Sequence, residues 1–395
     1  MIDERDIANG FEIPSEGYCD QPYVSKLADG AWLCVMTTGR GHEGYQGQHI
    51  VSSRSTDFGR TWSPLVDVEP ASGPEASWAM PFVTPSGRVY VFYTYNAKNL
   101  REVLSGNNDG SVVQRVDTLG EYAFKYSDDG GCSWSEQRWF IPVREFEIDR
   151  RNPYQGSVRF FWGVGKPILH KGAMYLGFSK VLSHSRKDFH DETEGCFLRS
   201  DNILTEPDPS RIRWQTLPEG NIGIRSPGAG PICEEANLTS LSDGSLFATC
   251  RTVDGHPVEA YSRDDGLTWT SQYMRFFPNG PLVCNPRGPN FVRKLVEGLY
   301  AGRYIYWFYN TNARGYESGS RNPVWLLGGI EQPSPQGNVI HWGRPEVVLY
   351  DLNLSAPIGY PDFIEVGDRL FITETQKTIA RVHEVPQWLL DRLWK

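Results

Sequence analysis

Apolar residues in this chain gather in short β-like runs, and the runs come in pairs. Six segments open on a polar or aromatic residue followed by Pro or Asn and an apolar residue: Asp20-Gln-Pro-Tyr, Met80-Pro-Phe, Lys166-Pro-Ile, Ala236-Asn-Leu, Gly288-Pro-Asn-Phe and Tyr360-Pro-Asp-Phe. Each leads through a turn into a second, strongly apolar run, at 32–37, 89–95, 174–179, 246–250, 304–310 and 370–374. Turns such as Ala28-Asp-Gly30, Pro85-Ser-Gly87, Ser242-Asp-Gly244 and Val366-Gly-Asp368 separate the pairs. This spacing predicts hairpins. No long helix is evident; the one candidate is a short amphipathic end piece over 387–395.

A second repeat lies between the hairpins. Ser55-Thr-Asp-Phe-Gly-Arg-Thr-Trp62 returns as Ser127-Asp-Asp-Gly-Gly-Cys-Ser-Trp134 and as Ser262-Arg-Asp-Asp-Gly-Leu-Thr-Trp269. The shared pattern is Ser-x-Asp-x-Gly-x-Thr/Ser-Trp. The Asp side chain satisfies backbone amides of a tight turn, Gly supplies the positive φ, and Trp anchors the turn on the next strand. Degenerate copies stand at Ser200-Asp-Asn202, with an insertion before Trp214, and near His341-Trp342. Repetition at this period predicts an all-β fold, a six-bladed β-propeller of four-stranded antiparallel blades forming a single domain over 1–395. The last unit, 360–385, has no such turn, so its outer strand is expected from residues near the N-terminus, which closes the ring and removes free sheet edges.

The repeated turn resembles the Asp-box, or BNR repeat, of the sialidase (neuraminidase) superfamily, whose catalytic members are six-bladed propellers. In that family the box is a structural hairpin on the rim. The resemblance therefore assigns Asp57, Asp129 and Asp264 to the fold and not to chemistry.

Composition narrows the partners. The net charge of −9 and the acidic pI near 5.5 exclude general binding to nucleic acid or anionic membrane. Aromatic residues make up 13% of the chain, more than a core needs, which suits a sugar-binding cleft. Seven Cys with no metal spacing read as free thiols, with Cys34, Cys196 and Cys250 in buried runs. His184, His190 and Asp191 make only a loose cluster, and no metal or organic cofactor is implied. Met-Ile-Asp-Glu-Arg-Asp carries neither a basic nor an apolar leader, so the chain as written reads as cytoplasmic; a trimmed secreted or periplasmic protein would look the same.

In a propeller the first residues of each innermost strand line a central depression. Here that brings together Asp20, Trp78, Lys166, Glu234 or Glu235, Arg287 and Tyr360. Sialidases attack the anomeric carbon with a Tyr activated by a Glu, use an Asp as acid/base, and hold the substrate carboxylate with three Arg. Segment 233–251 resembles the family segment carrying the activating Glu and a triad Arg, which implies those roles for Glu235 and Arg251. Segment 359–364 resembles the one with the nucleophile, Tyr360, and Glu374 follows where the family has a Glu. Arg321 is a further candidate, with Arg287 and Arg314 as competitors, and Arg40 matches a family Arg after the second strand.

The first half departs from the pattern. Asp20-Gln-Pro22 stands where the family's first triad Arg is expected, and an Asp there disfavours a bound carboxylate. The loop 41–49 holds no Asp, leaving His42, Glu43 and His49 as ionisable alternatives, with His42 or Glu43 taken as acid/base. Lys166 is a sugar ligand or a partner for Glu235. The mixed-charge run 144–151 reads as a solvated loop.

The expectation is therefore an exo-acting glycoside hydrolase that removes a terminal acidic sugar from an oligo- or polysaccharide. Either Tyr360 with Glu235 or the carboxylate pair Asp20 and Glu235 carries the attack. Arg40, Arg251, Arg287 and Arg321 bind the sugar, and Lys166, Trp78 and Glu374 complete the pocket. A polysaccharide lyase using His42 or Tyr360 as base, and a non-catalytic glycan-binding propeller, are the competing classes.

Overall fold

The computed structural model describes residues 3–185, 190–228, 230–313 and 320–395. Six small antiparallel sheets form the six-bladed propeller. Their innermost strands are Tyr18–Lys26, Ala76–Val83, Phe160–Trp162 continued by Ile168–His170, Glu234–Ser240, Phe291–Lys294 and Gly359–Val366. The second strands are Trp32–Gly39, Val89–Tyr95, Ala173–Val181, Leu246–Arg251, Tyr304–Phe308 and Arg369–Thr375, at the positions the paired runs predict. Each second strand is packed by a blade on either face. That is why Trp32–Gly39, Val89–Tyr95 and Leu246–Arg251 are buried along their whole length and read as continuous apolar runs.

The ring closes as expected. Phe11–Ile13 pairs antiparallel with Ala380–Glu384, Phe11 opposite Val382 and Ile13 opposite Ala380, and so completes the sixth blade. Ile13 is buried with Trp32, Val51, Phe371 and Val382 between the last blade and the first. The end piece is a helix, Gln387–Leu393, whose Leu389, Leu390 and Leu393 pack into the core.

The three repeated turns share one bonding scheme. The Thr61 amide and hydroxyl donate to Asp57 at 2.9 and 2.7 Å, and the Gly59 amide donates to Ser55 Oγ at 2.9 Å. Asp129 with Ser133, and Asp264 with Thr268, repeat it. Gly131 has φ of +86°, and a Cβ there would lie 2.4 Å from Leu33 Cδ1 in the neighbouring blade, so the position needs glycine twice over. In the third blade Asn202 replaces the Asp and accepts from the Arg213 amide at 2.8 Å. Near His341-Trp342 no such turn forms: Val339–Trp342 is itself an outer strand.

Two segments differ from the sequence reading. Within 144–151 lies a helical turn, Glu147–Arg151, with Phe146, Ile148 and Asp149 buried; Asp149 caps it and pairs with buried Lys180. The run is therefore anchored, not solvated. Between Val89–Tyr95 and Glu121–Ser127, the segment 96–120 forms an extension with its own hairpin, Val103–Leu104 with Val112–Val113.

Candidate active site

Four innermost strands share a local irregularity. In each, the register with the second strand slips between two residues: Asp20 and Tyr23, Ser77 and Met80, Glu234 and Asn237, Gly359 and Asp362. Within each slip one non-glycine residue takes a positive φ: Gln21 at 53°, Trp78 at 67°, Glu235 at 56° and Tyr360 at 54°. These are β-bulges, which break the strict alternation of faces and re-aim a side chain. Non-glycine residues held in this region cost of order 1–3 kcal/mol each, and such strain clusters at functional sites.

The re-aimed residues converge. Glu43, Arg115, Trp162, His190, Glu234, Arg251, Arg287, Arg321 and Tyr360 line a cavity of about 210 Å³ over the start of the inner strands. Glu235 lies directly behind Tyr360. Its Oε1 accepts from the Tyr360 hydroxyl at 3.0 Å, from Arg251 Nη1 at 2.6 Å and from Trp162 Nε1 at 3.2 Å. Burial raises the Glu235 pKa; Arg251 opposes the rise and Glu234 adds to it. Burial, reinforced by Glu235, pushes the Tyr360 phenol well above its ordinary value.

Glu234 faces the same mouth. Its Oε1 meets Arg251 Nε at 3.1 Å and Arg287 Nη2 at 3.3 Å, and its Oε2 accepts from His190 Nδ1 at 2.7 Å. Burial alone would raise Glu234, but Arg287, Arg251 and His190 hold it well below the usual carboxylate range. Arg321 donates from Nη2 to the Arg287 carbonyl at 3.1 Å.

Across the mouth, Glu43 is clamped between Arg115 Nη2 and Lys377 Nζ, both at 2.6 Å. These cations outweigh burial and hold its carboxyl far below the ordinary value. Arg115 is fixed in turn by Asp117, at 2.8 Å, and lies over the Trp162 ring. Lys377 also pairs with Asp20 at 2.5 Å and sits 4.2 Å above the Tyr360 ring.

No family model and no curated protein matches the chain. Among solved structures, the leech intramolecular trans-sialidase superposes with a TM-score of 0.65 at 13% identity, over 97% of this chain and 71% of that one. The fold is sialidase-like. The intramolecular trans-sialidase of Ruminococcus gnavus also gives a TM-score of 0.65 at 13% identity, covering 98% of this chain and 99% of its own. A Dyadobacter fermentans protein of unknown function aligns at 17% identity over 95% and 97% of the two chains, with a TM-score of 0.60.

Within this sialidase-like propeller the sequence candidates divide. Tyr360, Glu235, Glu43, Arg251, Arg287 and Arg321 meet at the cavity. Trp78 forms a wall behind it, its ring 4.0 Å from that of Trp162 and its Nε1 bonded to the Asp117 carbonyl. Asp20 does not reach the cavity lining: it is fully buried and bonded to Tyr18, the Gln21 amide and Lys377. The bulge instead turns Gln21 inward, where its amide donates to the Gly163 carbonyl at 2.9 Å. The expected pairing of Asp20 with Glu235 is thus not formed, because Lys377 holds the Asp20 carboxylate in place.

His42 and Arg40 are exposed and outside the cavity lining. His49 is buried, with Glu16 and Asp67 each at 3.6 Å. Lys166 does not approach Glu235. It pairs with Asp362 at 2.9 Å and lines a cavity at the opposite end of the inner strands. Glu374 is buried against Arg381 and His383 within the sixth blade. Arg314 lies outside the described residues.

Three groups that line the cavity, Arg115, Trp162 and His190, and two that brace its lining, Asp117 and Lys377, were not among the sequence candidates for the site. Arg115 and Asp117 come from the 96–120 extension, whose only signal was its length between two otherwise adjacent strands. Lys377 follows the second strand of the last blade, the place Arg40 holds in the first. Trp162 and His190 belong to the third blade, where the split inner strand hides the repeat.

Proposed function

We propose that this protein is an exo-acting glycoside hydrolase that removes a terminal acidic sugar, with Tyr360 as nucleophile and Glu235 as its base. The hydrogen bond from the Tyr360 hydroxyl to Glu235 at 3.0 Å, beside the arginine-lined cavity, carries the reading. A buried phenol cannot ionise in advance, so its proton must leave as its oxygen bonds to the anomeric carbon. A carboxylate whose pKa is raised by burial is a better proton acceptor than one in water. Arg251, bonded to Glu235 and 3.4 Å from the phenol oxygen, stabilises the charge that develops between them. Arg287 and Arg321 on the same wall offer charge to a sugar carboxylate. A cavity of about 210 Å³ suits one terminal residue better than the interior of a chain.

The test is a panel of oligosaccharides capped with glucuronate, galacturonate or a nonulosonate, with products read by mass and ultraviolet absorbance. Release of one terminal sugar with the gain of one water is the expected result. An unsaturated product formed without water would replace hydrolysis by elimination. Binding without turnover across the panel would reduce the site to a glycan receptor.

A further inference from the structure

The hydrolase reading leaves one role unfilled, since something must protonate the departing oxygen. Glu43 stands in the loop where the acid was expected, yet two cations hold it ionised. His42 faces solvent and Asp20 is walled off by Lys377. One cavity group remains. The ring of His190 lines the mouth with its edge against Trp162, centroids 4.6 Å apart at 80°. Its Nδ1–H donates to Glu234 Oε2 at 2.7 Å, so the carboxylate sets which nitrogen keeps a resident proton. The other nitrogen, Nε2, is buried and has no hydrogen-bond partner among the described residues. A buried polar atom left unpaired costs about 1–3 kcal/mol, a cost an occupant of the cavity would relieve.

The bulge explains how both dyads reach one cavity. In a regular strand Glu234 and Glu235 would point to opposite faces. The positive φ at Glu235 breaks that alternation, and Arg251 bridges the two carboxylates, Nε to Glu234 at 3.1 Å and Nη1 to Glu235 at 2.6 Å. Tyr360–Glu235 and His190–Glu234 thus form two proton-handling pairs joined by one guanidinium.

We propose that His190, oriented by Glu234, is the acid/base of this cavity, exchanging its proton through Nε2. The inference rests on the hydrolase reading above. In the first step Tyr360 Oη bonds to the anomeric carbon while its proton passes to Glu235. The glycosidic C–O bond breaks, its electron pair goes to the leaving oxygen, and that oxygen takes the Nε2 proton of the imidazolium. In the second step a water oxygen bonds to the anomeric carbon and gives its proton to Nε2. The bond to Tyr360 breaks, and the phenolate recovers the proton from Glu235. Glu234 acts on His190 and not on the substrate, so it is a positioning residue.

The charges around His190 set the pH behaviour. Burial is the largest influence and lowers its pKa below 6.5; Glu234 pulls it up, and Arg115 and Arg287 push it down, with the His184 ring 5.3 Å away. The first step needs the imidazolium, so kcat/KM falls as pH rises through that depressed value.

The test compares methyl and 2,4-dinitrophenyl glycosides of glucuronate, galacturonate and N-acetylneuraminate, using the full chain and its His190→Gln and His190→Asn variants. Dinitrophenolate leaves without a proton. Loss of the acid is therefore expected to cut kcat/KM for the methyl glycoside by at least about 10²-fold, and for the dinitrophenyl glycoside by far less. Retained turnover of the activated glycoside also shows that the variant is folded. The falling alkaline limb should vanish in both variants, and Glu234→Gln should move it to lower pH. Equal losses on the two leaving groups, or an unchanged alkaline limb, would overturn the role of His190 while leaving hydrolysis standing. A wild-type protein inert toward every dinitrophenyl glycoside would remove the hydrolase reading, and this inference with it.

Discussion

Tyr360→Phe tests the proposed chemistry while leaving the architecture nearly intact. The substitution deletes one oxygen from a side chain that is 2% exposed and keeps its ring in place. Two contacts are lost, to Glu235 at 3.0 Å and to Arg251 at 3.4 Å. Glu235 Oε1 keeps Arg251 and Trp162, so no charge is stranded. The 3.0 Å bond to the Glu235 carboxylate dominates the loss, and a hydrogen bond to a charged group contributes about 1.5–3 kcal/mol. Unfolding entropy of about 2.1 cal/mol/K per residue over 395 residues gives roughly 0.8 kcal/mol/K, so the melting temperature should fall by only ~2–4 °C. If Tyr360 is the nucleophile, as proposed, turnover should fall by more than about 10³-fold, because the attacking oxygen is gone. Calorimetry and initial rates on dinitrophenyl glycosides read the two effects side by side. A variant retaining a tenth or more of wild-type kcat would refute the assignment and make Tyr360 a channel aromatic.

Glu235→Gln tests the linkage at the same pair. The folded-state pKa of Glu235 lies above its ordinary 4.5, chiefly through burial. Its stabilising contribution is therefore present below about pH 4.5 and is lost as pH rises through the folded value. The variant should lose turnover yet compare better with wild type in melting temperature at about pH 8 than at about pH 4; the reverse order would contradict the direction of the shift. Asp57→Ala removes the acceptor of the Thr61 amide and hydroxyl, and should cost about 1–3 kcal/mol in denaturant melts while leaving kcat unchanged. A drop in kcat at temperatures where the variant is fully folded would show that this turn is coupled to the cavity. Ile13→Ala opens a gap between the last blade and the first and should cost about 2–5 kcal/mol, with activity and tertiary signal lost together on heating. Loss of activity well before the fold melts would indicate that the strand serves the site more directly than through closure.

The fold was legible because its signals are local. Paired apolar runs mark strands covered on both faces, and Asp57, Asp129 and Asp264 recur at fixed offsets from Gly and Trp. The N-terminal closing strand followed from counting: the sixth unit lacked an outer strand, and Phe11–Ile13 supplies it. The cavity was half legible. Glu235 and Tyr360 sit at the starts of inner strands and Arg251 at the end of a second strand, where the repeat places them. Asp20 misled because adjacent residues at a bulge do not share a direction, so the inward position passed to Gln21. Lys166 misled for the converse reason: one turn further along its unit, it faces the far end of the channel, where Asp362 waits. Arg115, His190 and Lys377 carry no periodic signal. Their place depends on an extension, a split strand and a turn, and only long-range contacts reveal it.

The strand that completes the sixth blade has a consequence for how the protein comes into being. Phe11–Ile13 leaves the ribosome long before its partner Ala380–Glu384, more than 360 residues later in the chain. During synthesis the earlier blades can condense in order, but the ring stays open until these two strands meet. Tyr360 belongs to that final blade, whereas Glu235 and Arg251 belong to the fourth. The bond between phenol and carboxylate therefore forms only once the sixth blade has been made. A chain that stops short of the sixth blade would hold most of its sheets but not the paired phenol and carboxylate, so the proposed activity would report completion of the whole ring.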